Sequence, residues 1–451
     1  MAGTADRSVC PPRSRSHGGI ACGIGFAVFL LVAAGCRRAE EKLPSGPDAF
    51  PRAPSDPIGW PQWRGPGAGD IASSASSAVR FHASGGYRWK IELPGEGNSS
   101  PIAWGDSILL TTALAETDPP TLAILCYDRR DGRLVWQREV GQAQGRTHAK
   151  NGYASATLAT DGERIVAFFG SNGLFCCDFS GKRLWHADLG DLDHQWGTAA
   201  SPVIYRDRVI QLCDAQKASS IAAFDKQTGK RVWRTERPSS GCWSTPVPVE
   251  VTEAGTNRTE LVVNGTDGKD ADARLVLAYD PKDGRELWRV RGTTQFVTPT
   301  TIVGRGLIYS TSGRNGPIIA IRPGGSGDVT DTHVAWKLKR GGPYIPTGLV
   351  YGDRLYVVTD FGQVTCYRPD DGEAIWTKRL GGDFSASLVA GGGRIYATSE
   401  QGVVYAFSAA DEFKLLAEND LKERTLATPA IHAGELFIRT AGHLYCIPGM
   451  Q

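Results

Sequence analysis

Three groups of residues in this chain have the types and spacing that chemistry asks for. Cys176 and Cys177 are adjacent, and a vicinal pair can close into a strained, redox-active ring. Asp193, Asp267, Asp270 and Asp272 are loop carboxylates, the donor class that a hard divalent cation requires. Six aromatics, Tyr153, Trp196, Trp243, Phe296, Tyr344 and Phe384, each stand two residues ahead of a small residue or Pro. His148, Asn151, His194, Gln195, Gln295 and Arg424 supply hydrogen-bonding groups near them. Together these would suit an extended peptide, a glycan or a planar ring. Each group also has a plainer reading. Strand alternation within Leu174-Phe175-Cys176-Cys177 sends the two thiols to opposite faces, as packing residues. The aspartates read as solvated loop carboxylates, and the aromatics can serve as wedges between packed elements. The eight histidines stand singly, and no His-Glu-x-x-His, phosphate-binding glycine loop or Gly-x-Ser-x-Gly elbow occurs. No catalytic residue is expected.

The elements that position these groups follow from a period. Trp89, Trp136, Trp185, Trp233, Trp288, Trp336 and Trp376 are separated by 47, 49, 48, 55, 48 and 40 residues, by subtraction. Ahead of four of them a turn repeats: Tyr127-Asp128 to Asp131-Gly132, Phe224-Asp225 to Thr228-Gly229, Tyr279-Asp280 to Asp283-Gly284, and Tyr367 to Asp371-Gly372. A strand ends in an aromatic, the turn reverses the chain, and the next strand carries Trp. That plan at this period predicts propeller blades of four antiparallel strands.

Counting fixes the size of the ring. Leu416 stands where an eighth Trp is expected, 40 residues after Trp376, and Arg322-Pro323-Gly324-Gly325-Ser326-Gly327-Asp328 replaces one tight turn. Trp89 has no strands before it, whereas Thr428 to Ile447 has strands and no Trp after it. The two halves make one blade, which predicts an all-β, eight-bladed propeller closed by an N-terminal strand joining the C-terminal blade. In this register one slot holds Cys126, Cys176, Ala223, Ala278, Ala320, Cys366, Ala406 and Cys446, all small and apolar. Adjacent sheets stack roughly 10 Å apart, so these thiols read as packing and not as disulfides. If the leading ends of the innermost strands face the channel, the six aromatics and their polar neighbours line its mouth.

Residues 1–36 read as a signal peptide: Arg7, Arg13 and Arg15 precede an apolar stretch from Gly18 to Gly35. Ala33-Ala34-Gly35-Cys36 is similar to a bacterial lipobox, which makes Cys36 the expected lipidation site; plain secretion and an uncleaved anchor are the alternatives. Residues 37–59, with Pro44, Pro47, Pro51, Pro54 and Pro57, read as a tether, and 60–448 as the propeller. Without residues 1–36 the 50 basic and 48 acidic residues lose three arginines and one aspartate, leaving 47 of each. Such neutrality gives no footprint for nucleic acid or an anionic membrane surface.

The repeated Ala-x-Asp-x-x-(Thr/Asp)-Gly-x-x-x-Trp unit resembles that of the pyrroloquinoline quinone (PQQ) propeller family. That family includes PQQ dehydrogenases and non-enzymatic relatives such as the outer-membrane-protein assembly lipoprotein. Trp60-Pro61-Gln62-Trp63-Arg64-Gly65-Pro66 resembles the opening motif of PQQ-like propellers from planctomycete-type bacteria. The resemblance implies that Trp136, Asp128, Trp233, Asp225, Trp288 and Asp280 dock one blade on the next. It implies a non-catalytic scaffold on the periplasmic side of the envelope, with other envelope proteins or an extended peptide or glycan as partners and no cofactor. A small oxidoreductase using PQQ with Ca²⁺, and a sensor propeller for a glycan or metabolite, are the alternatives.

Overall fold

Runs such as Ser107–Leu114 and Thr121–Asp128 are apolar along nearly their whole length, and both are buried almost throughout. Continuous rather than alternating burial is what a strand needs when sheets cover both of its faces. The fourth strand of the same unit, Leu134–Gln142, is largely open to solvent, so burial falls from the inside of each sheet outward. In the computed structural model, residues 59–66, 80–253, 255–266 and 274–449 are described, all within the unit Phe50–Gln451. They form eight sheets, seven of four strands and one of five, arranged as the expected eight-bladed propeller. Cys36, nearly all of the tether and Asp267, Asp270 and Asp272 lie outside the described residues.

Blades 1 to 7 follow in chain order, beginning at Ile102, Ala159, Val203, Val247, Ile302, Leu349 and Val389. Blade 8 takes Ala430–His432, Glu435–Arg439 and His443–Ile447, and Trp89–Glu92 completes it as the outermost strand, pairing Trp89 with Cys446 and Glu92 with His443. The ring closes as the sequence predicts.

The small-residue slot is explained by its partner. Cys126, Cys176, Ala223, Ala278, Ala320, Cys366 and Cys446 sit directly across from Trp136, Trp185, Trp233, Trp288, Trp336, Trp376 and Trp89. In blade 7 the partner of Ala406 is Ala417, so Ala417 and not Leu416 stands in the Trp position. The slot cysteines are buried thiols outside any disulfide. Cys176 packs in the cluster toward blade 3 and Cys177 in the one toward blade 1, on opposite faces as alternation requires. Burial pushes the Cys176 thiol up to about 12 and raises Cys177 as well, which removes thiolate character at neutral pH.

Each Trp holds the next blade. The indole N–H of Trp89 donates to the Arg129 carbonyl at 2.8 Å, Trp136 to Phe179, Trp185 to Lys226, Trp233 to Pro281, Trp336 to Pro369 and Trp376 to Ala410. In the junctions of Trp89, Trp136, Trp185, Trp233 and Trp336 the turn glycine of the receiving blade lies under the ring. At Gly229 (φ +69°) an added Cβ would sit 2.6 Å from Trp185, so left-handed backbone and lack of room both demand glycine. Two junctions differ. Blade 5 has the glycine-rich insertion in place of the turn, and its Gly327–Asp328 pairs in parallel with Glu286–Arg291 as a fifth strand of blade 4. Trp288 therefore donates to the buried Glu260 carboxylate at 2.7 Å, which also takes the Gly324 N–H and the Arg258 guanidinium. Between blades 7 and 8, Ala417 supplies no indole.

Candidate functional site

The channel is defined by a belt of hydroxyls that the sequence reading missed. The N–H of Ser100 donates to Thr157 Oγ1, Thr157 to Ser201, Ser201 to Thr245, Thr245 to Thr300, Thr300 to Thr347, Thr347 to Ser387, Ser387 to Thr428, and Thr428 back to Ser100. These bonds, 2.9–3.1 Å long, form a closed cycle through all eight blades. Short side chains at the leading end of each innermost strand let the segments converge, and the hydroxyl satisfies an amide that no strand can reach. The signal was present as Ser100-Pro101, Ser201-Pro202, Thr245-Pro246 and Thr428-Pro429, one Ser/Thr-Pro step in each of four blades.

Two residues ahead of the belt, Asn98, Ser155, Ala199, Trp243, Thr298, Ile345, Ser385 and Leu426 form a waist, as the two-residue strand period dictates. Below it is a cavity of about 110 Å³ bounded by belt residues and Trp63. Trp63 belongs to a plug. Trp60 pairs with Ala103 of blade 1, the Pro61 carbonyl accepts the Thr160 N–H of blade 2, and the buried Arg64 guanidinium donates to the Gly348 carbonyl of blade 6. The segment thus crosses the ring beyond the belt and seals the end opposite the mouth.

Above the waist the channel opens into a cavity of about 970 Å³. Of the twelve expected mouth residues, His148, Asn151, Trp196, Trp243 and Tyr344 line it. Lys150, Arg314, Asp360, Phe361, Arg379 and Asp383 line it too, with no sequence signal to mark them. The shared offset of the aromatics is not kept. Counted to the belt residue of the same blade, Tyr153, Trp196, Trp243, Phe296, Tyr344 and Phe384 stand 4, 5, 2, 4, 3 and 3 positions ahead, because the segments crossing the rim differ in length. Tyr153 instead packs against blade 1, and Phe384 is 1% exposed beneath Tyr405. Gln195 and Gln295 are exposed, Phe296 and His194 stand behind the wall, and Arg424 borders a smaller cavity beside the mouth.

One wall is an aromatic stack. The Trp196 ring lies 5.7 Å from Trp243 and 4.8 Å from Phe296, the latter edge-on. It is locked from behind. The Asn151 amide donates to the Trp196 carbonyl at 2.6 Å, and the Trp243 indole N–H to the Gly197 carbonyl at 2.9 Å. His194 meets Trp243 edge-on at 4.9 Å, and its Nδ1 accepts the Trp196 N–H at 3.1 Å, which fixes it as a neutral acceptor. Burial holds its pKa below the usual histidine value, against the pull of Asp193.

The other wall is polar. The Arg314 guanidinium sits 5.0 Å over the Tyr344 ring, and Asp360 accepts the N–H groups of Tyr344 and Ile345 at 2.6 and 3.0 Å. Burial raises the Asp360 carboxyl, while those amides and Lys150 oppose the rise. Lys150, on the connection between blades 1 and 2, reaches Glu400 of blade 7 at 2.6 Å, and Ser385 Oγ donates to the same carboxylate.

A quinone held with Ca²⁺ needs several oxygen donors converging on one point. Here Glu400 is committed to Lys150 and Ser385, Asp360 to two amides, and Asp193 to Arg146 at 2.6 Å. Among the described residues, no three His, Cys, Asp or Glu side chains gather as a cation site.

Comparison with known proteins places this geometry in a family. Outer membrane protein assembly factor BamB of Shewanella oneidensis is 21% identical over 309 residues, covering 56% of this chain and 75% of that protein. The same factor from Bordetella pertussis is 22% identical over 339 residues, covering 74% and 69%. Among solved structures, BamB from Moraxella catarrhalis matches with a TM-score of 0.58 and 17% identity, over 80% of this chain and 98% of that one. Quinohemoprotein alcohol dehydrogenase from Comamonas testosteroni matches with a TM-score of 0.63 and 14% identity, over 87% and 81%, a likeness of fold. The model of the family described as outer membrane protein assembly factor BamB matches residues 63–214, 217–348 and 275–447, and the chain belongs to that family.

Proposed function

We propose that this protein is a binding scaffold of the bacterial envelope, anchored through lipid on Cys36 and the 37–59 tether, whose channel mouth takes an extended peptide segment of another envelope protein. The observation that carries the reading is the blind mouth: a cavity of about 970 Å³ with a braced aromatic wall on one side and charged, hydrogen-bonding side chains on the other. Such a surface offers apolar area for side chains and polar partners for a backbone. The relatives named as outer-membrane-protein assembly factors support the choice of an envelope partner.

The test is a photo-crosslinking residue placed at Phe361, which is 67% exposed at the rim, in cells carrying the full chain. Defined adducts with envelope proteins, lost when Trp196 and Trp243 are both changed to Ala, are expected. Adducts no stronger than those from a control at the exposed Lys230, in the turn before the outer strand of blade 3, would sink the proposal. Cys36→Ser should move the protein to the soluble periplasmic fraction. Stabilisation by PQQ with Ca²⁺, together with dye reduction, would replace the scaffold reading with an oxidoreductase.

A further inference from the structure

Arg439 carries a charge that the fold does not use. It ends the strand Glu435–Arg439 of blade 8, and its side chain is buried, with the whole residue 1% exposed. The corresponding position in blades 1, 2, 3 and 6, two residues past the partner of the small-residue slot, holds Thr111, Phe168, Leu212 and Val358. A propeller blade therefore closes without a cation here.

The bonds of this guanidinium are one-sided. Nη1 donates to Ser99 O at 3.3 Å, Ser99 Oγ at 2.7 Å and Thr111 O at 2.8 Å, whereas Nε is buried without a partner. Nη2 points along Gly97, where an added Cβ would sit 2.5 Å away, so glycine keeps that side clear. Among the described residues no carboxylate forms an ion pair with Arg439. Arg237, whose side chain is likewise buried, is paired with Asp214 at 2.9 Å and also reaches the Tyr279 hydroxyl. Taking an ion out of water without a counter-charge is costly, and burial, opposed by Tyr127, pulls the Arg439 pKa down to about 10.

Beside Arg439 is a cavity of about 30 Å³, bordered also by Gly97, Asn98, Arg424 and Thr440. It has room for roughly two water-sized groups. Arg424 brings a second cation, and Asn98 lines both this cavity and the channel mouth. We propose that Arg439 and Arg424 form an anion subsite at the junction of blades 8 and 1 that accepts one carboxylate group. Two oxygens match the room available and the unspent Nε and Nη2 donors, a geometry in which guanidinium binds carboxylate two-pronged. The carboxylate is either that of a free small acid or the acidic end of a ligand seated in the mouth. The subsite stands apart from the scaffold reading, since acetate alone tests it.

The experiment is a melting series of the mature full chain in which sodium chloride is exchanged for sodium acetate at constant ionic strength. A saturable rise in Tm is expected with acetate, a smaller one with the bulkier phosphate, and none with acetamide. Arg439→Met should abolish the acetate response, and Arg424→Ala should weaken the apparent affinity a few-fold. If Arg439→Met fails to fold, Arg439→Lys decides, because it keeps the charge but loses the two-pronged contact. An absent rise in the wild type, or equal affinity in the wild type and the variants that fold, overturns the subsite. A short peptide with a free C-terminus, compared with its amidated twin, separates the two sources. Tighter binding by the free acid than by acetate assigns the carboxylate to a ligand of the mouth, and equal binding assigns it to a free small acid; both outcomes support the subsite.

Discussion

His194 links protonation to the shape of the mouth. Its Nδ1 accepts the Trp196 N–H and its ring buttresses Trp243, and burial keeps its pKa below the unfolded value of about 6.5. The unfolded chain therefore binds the proton first as pH falls. The stability held by the neutral ring is complete above about pH 6.5 and is lost as pH drops toward the folded pKa. Thermal melts from pH 8 to 5 should show this decline in the wild type and a shallower one in His194→Gln; parallel curves would remove the ring from that role. Single residues were unevenly legible in the sequence. The slot cysteines could be read, since a small apolar residue repeated in register has one structural meaning. Lys150 could not, because it works through a partner far along the chain: it meets Glu400 across 250 residues, and no local pattern encodes such a meeting.

Docking elements explain why the period is visible at all. A Trp on one blade needs a backbone carbonyl and, at most junctions, a bare glycine on the next, so Trp and the turn glycine recur together as a motif. Gly229 and Gly352 separate the two demands. Both have positive φ, but Gly352 has open space where Gly229 has the Trp185 ring. Gly352→Ala should cost only backbone strain, about 1–2 kcal/mol, and Gly229→Ala should cost about 2–4 kcal/mol because the ring must also shift. Denaturant midpoints would measure both, and equal losses would mean that the Trp contact is slack. Where a repeat had degenerated, reading by analogy failed in detail. Leu416 was matched by distance, yet pairing puts Ala417 opposite Ala406, since the turn between them is one residue longer: the pair is 11 residues apart, by subtraction, against 10 in blades 1, 3, 4 and 6. The aromatic register failed for a related reason: rim segments are not held by the ladder, so their lengths drift while the belt beneath them does not.

At the scale of the whole ring, eight blades and their closure were legible, because strand content had to balance between the two ends of the chain. The plug was not, since nothing in Trp60 to Gly65 says that it crosses a channel. Truncation before Leu426 should delete the inner strands of blade 8, leave Trp89–Glu92 unpaired, and open both the belt and the ring. The product should be aggregation-prone, and a soluble chain with one sharp melting transition would contradict the closure. The same closure sets a timetable. Glu92 and its partner His443 are 351 residues apart by subtraction. At roughly 5–20 residues per second of chain growth, the strand around Trp89 waits on the order of half a minute for the partner that completes it. During that interval seven blades can form while the eighth is not yet in existence, so the docking of Trp89 against Arg129 belongs to the last step of assembly. A newborn chain is thus an open crescent that becomes a circle only when its final residues arrive, and a holdase able to shield one four-residue strand would have a defined moment to let go.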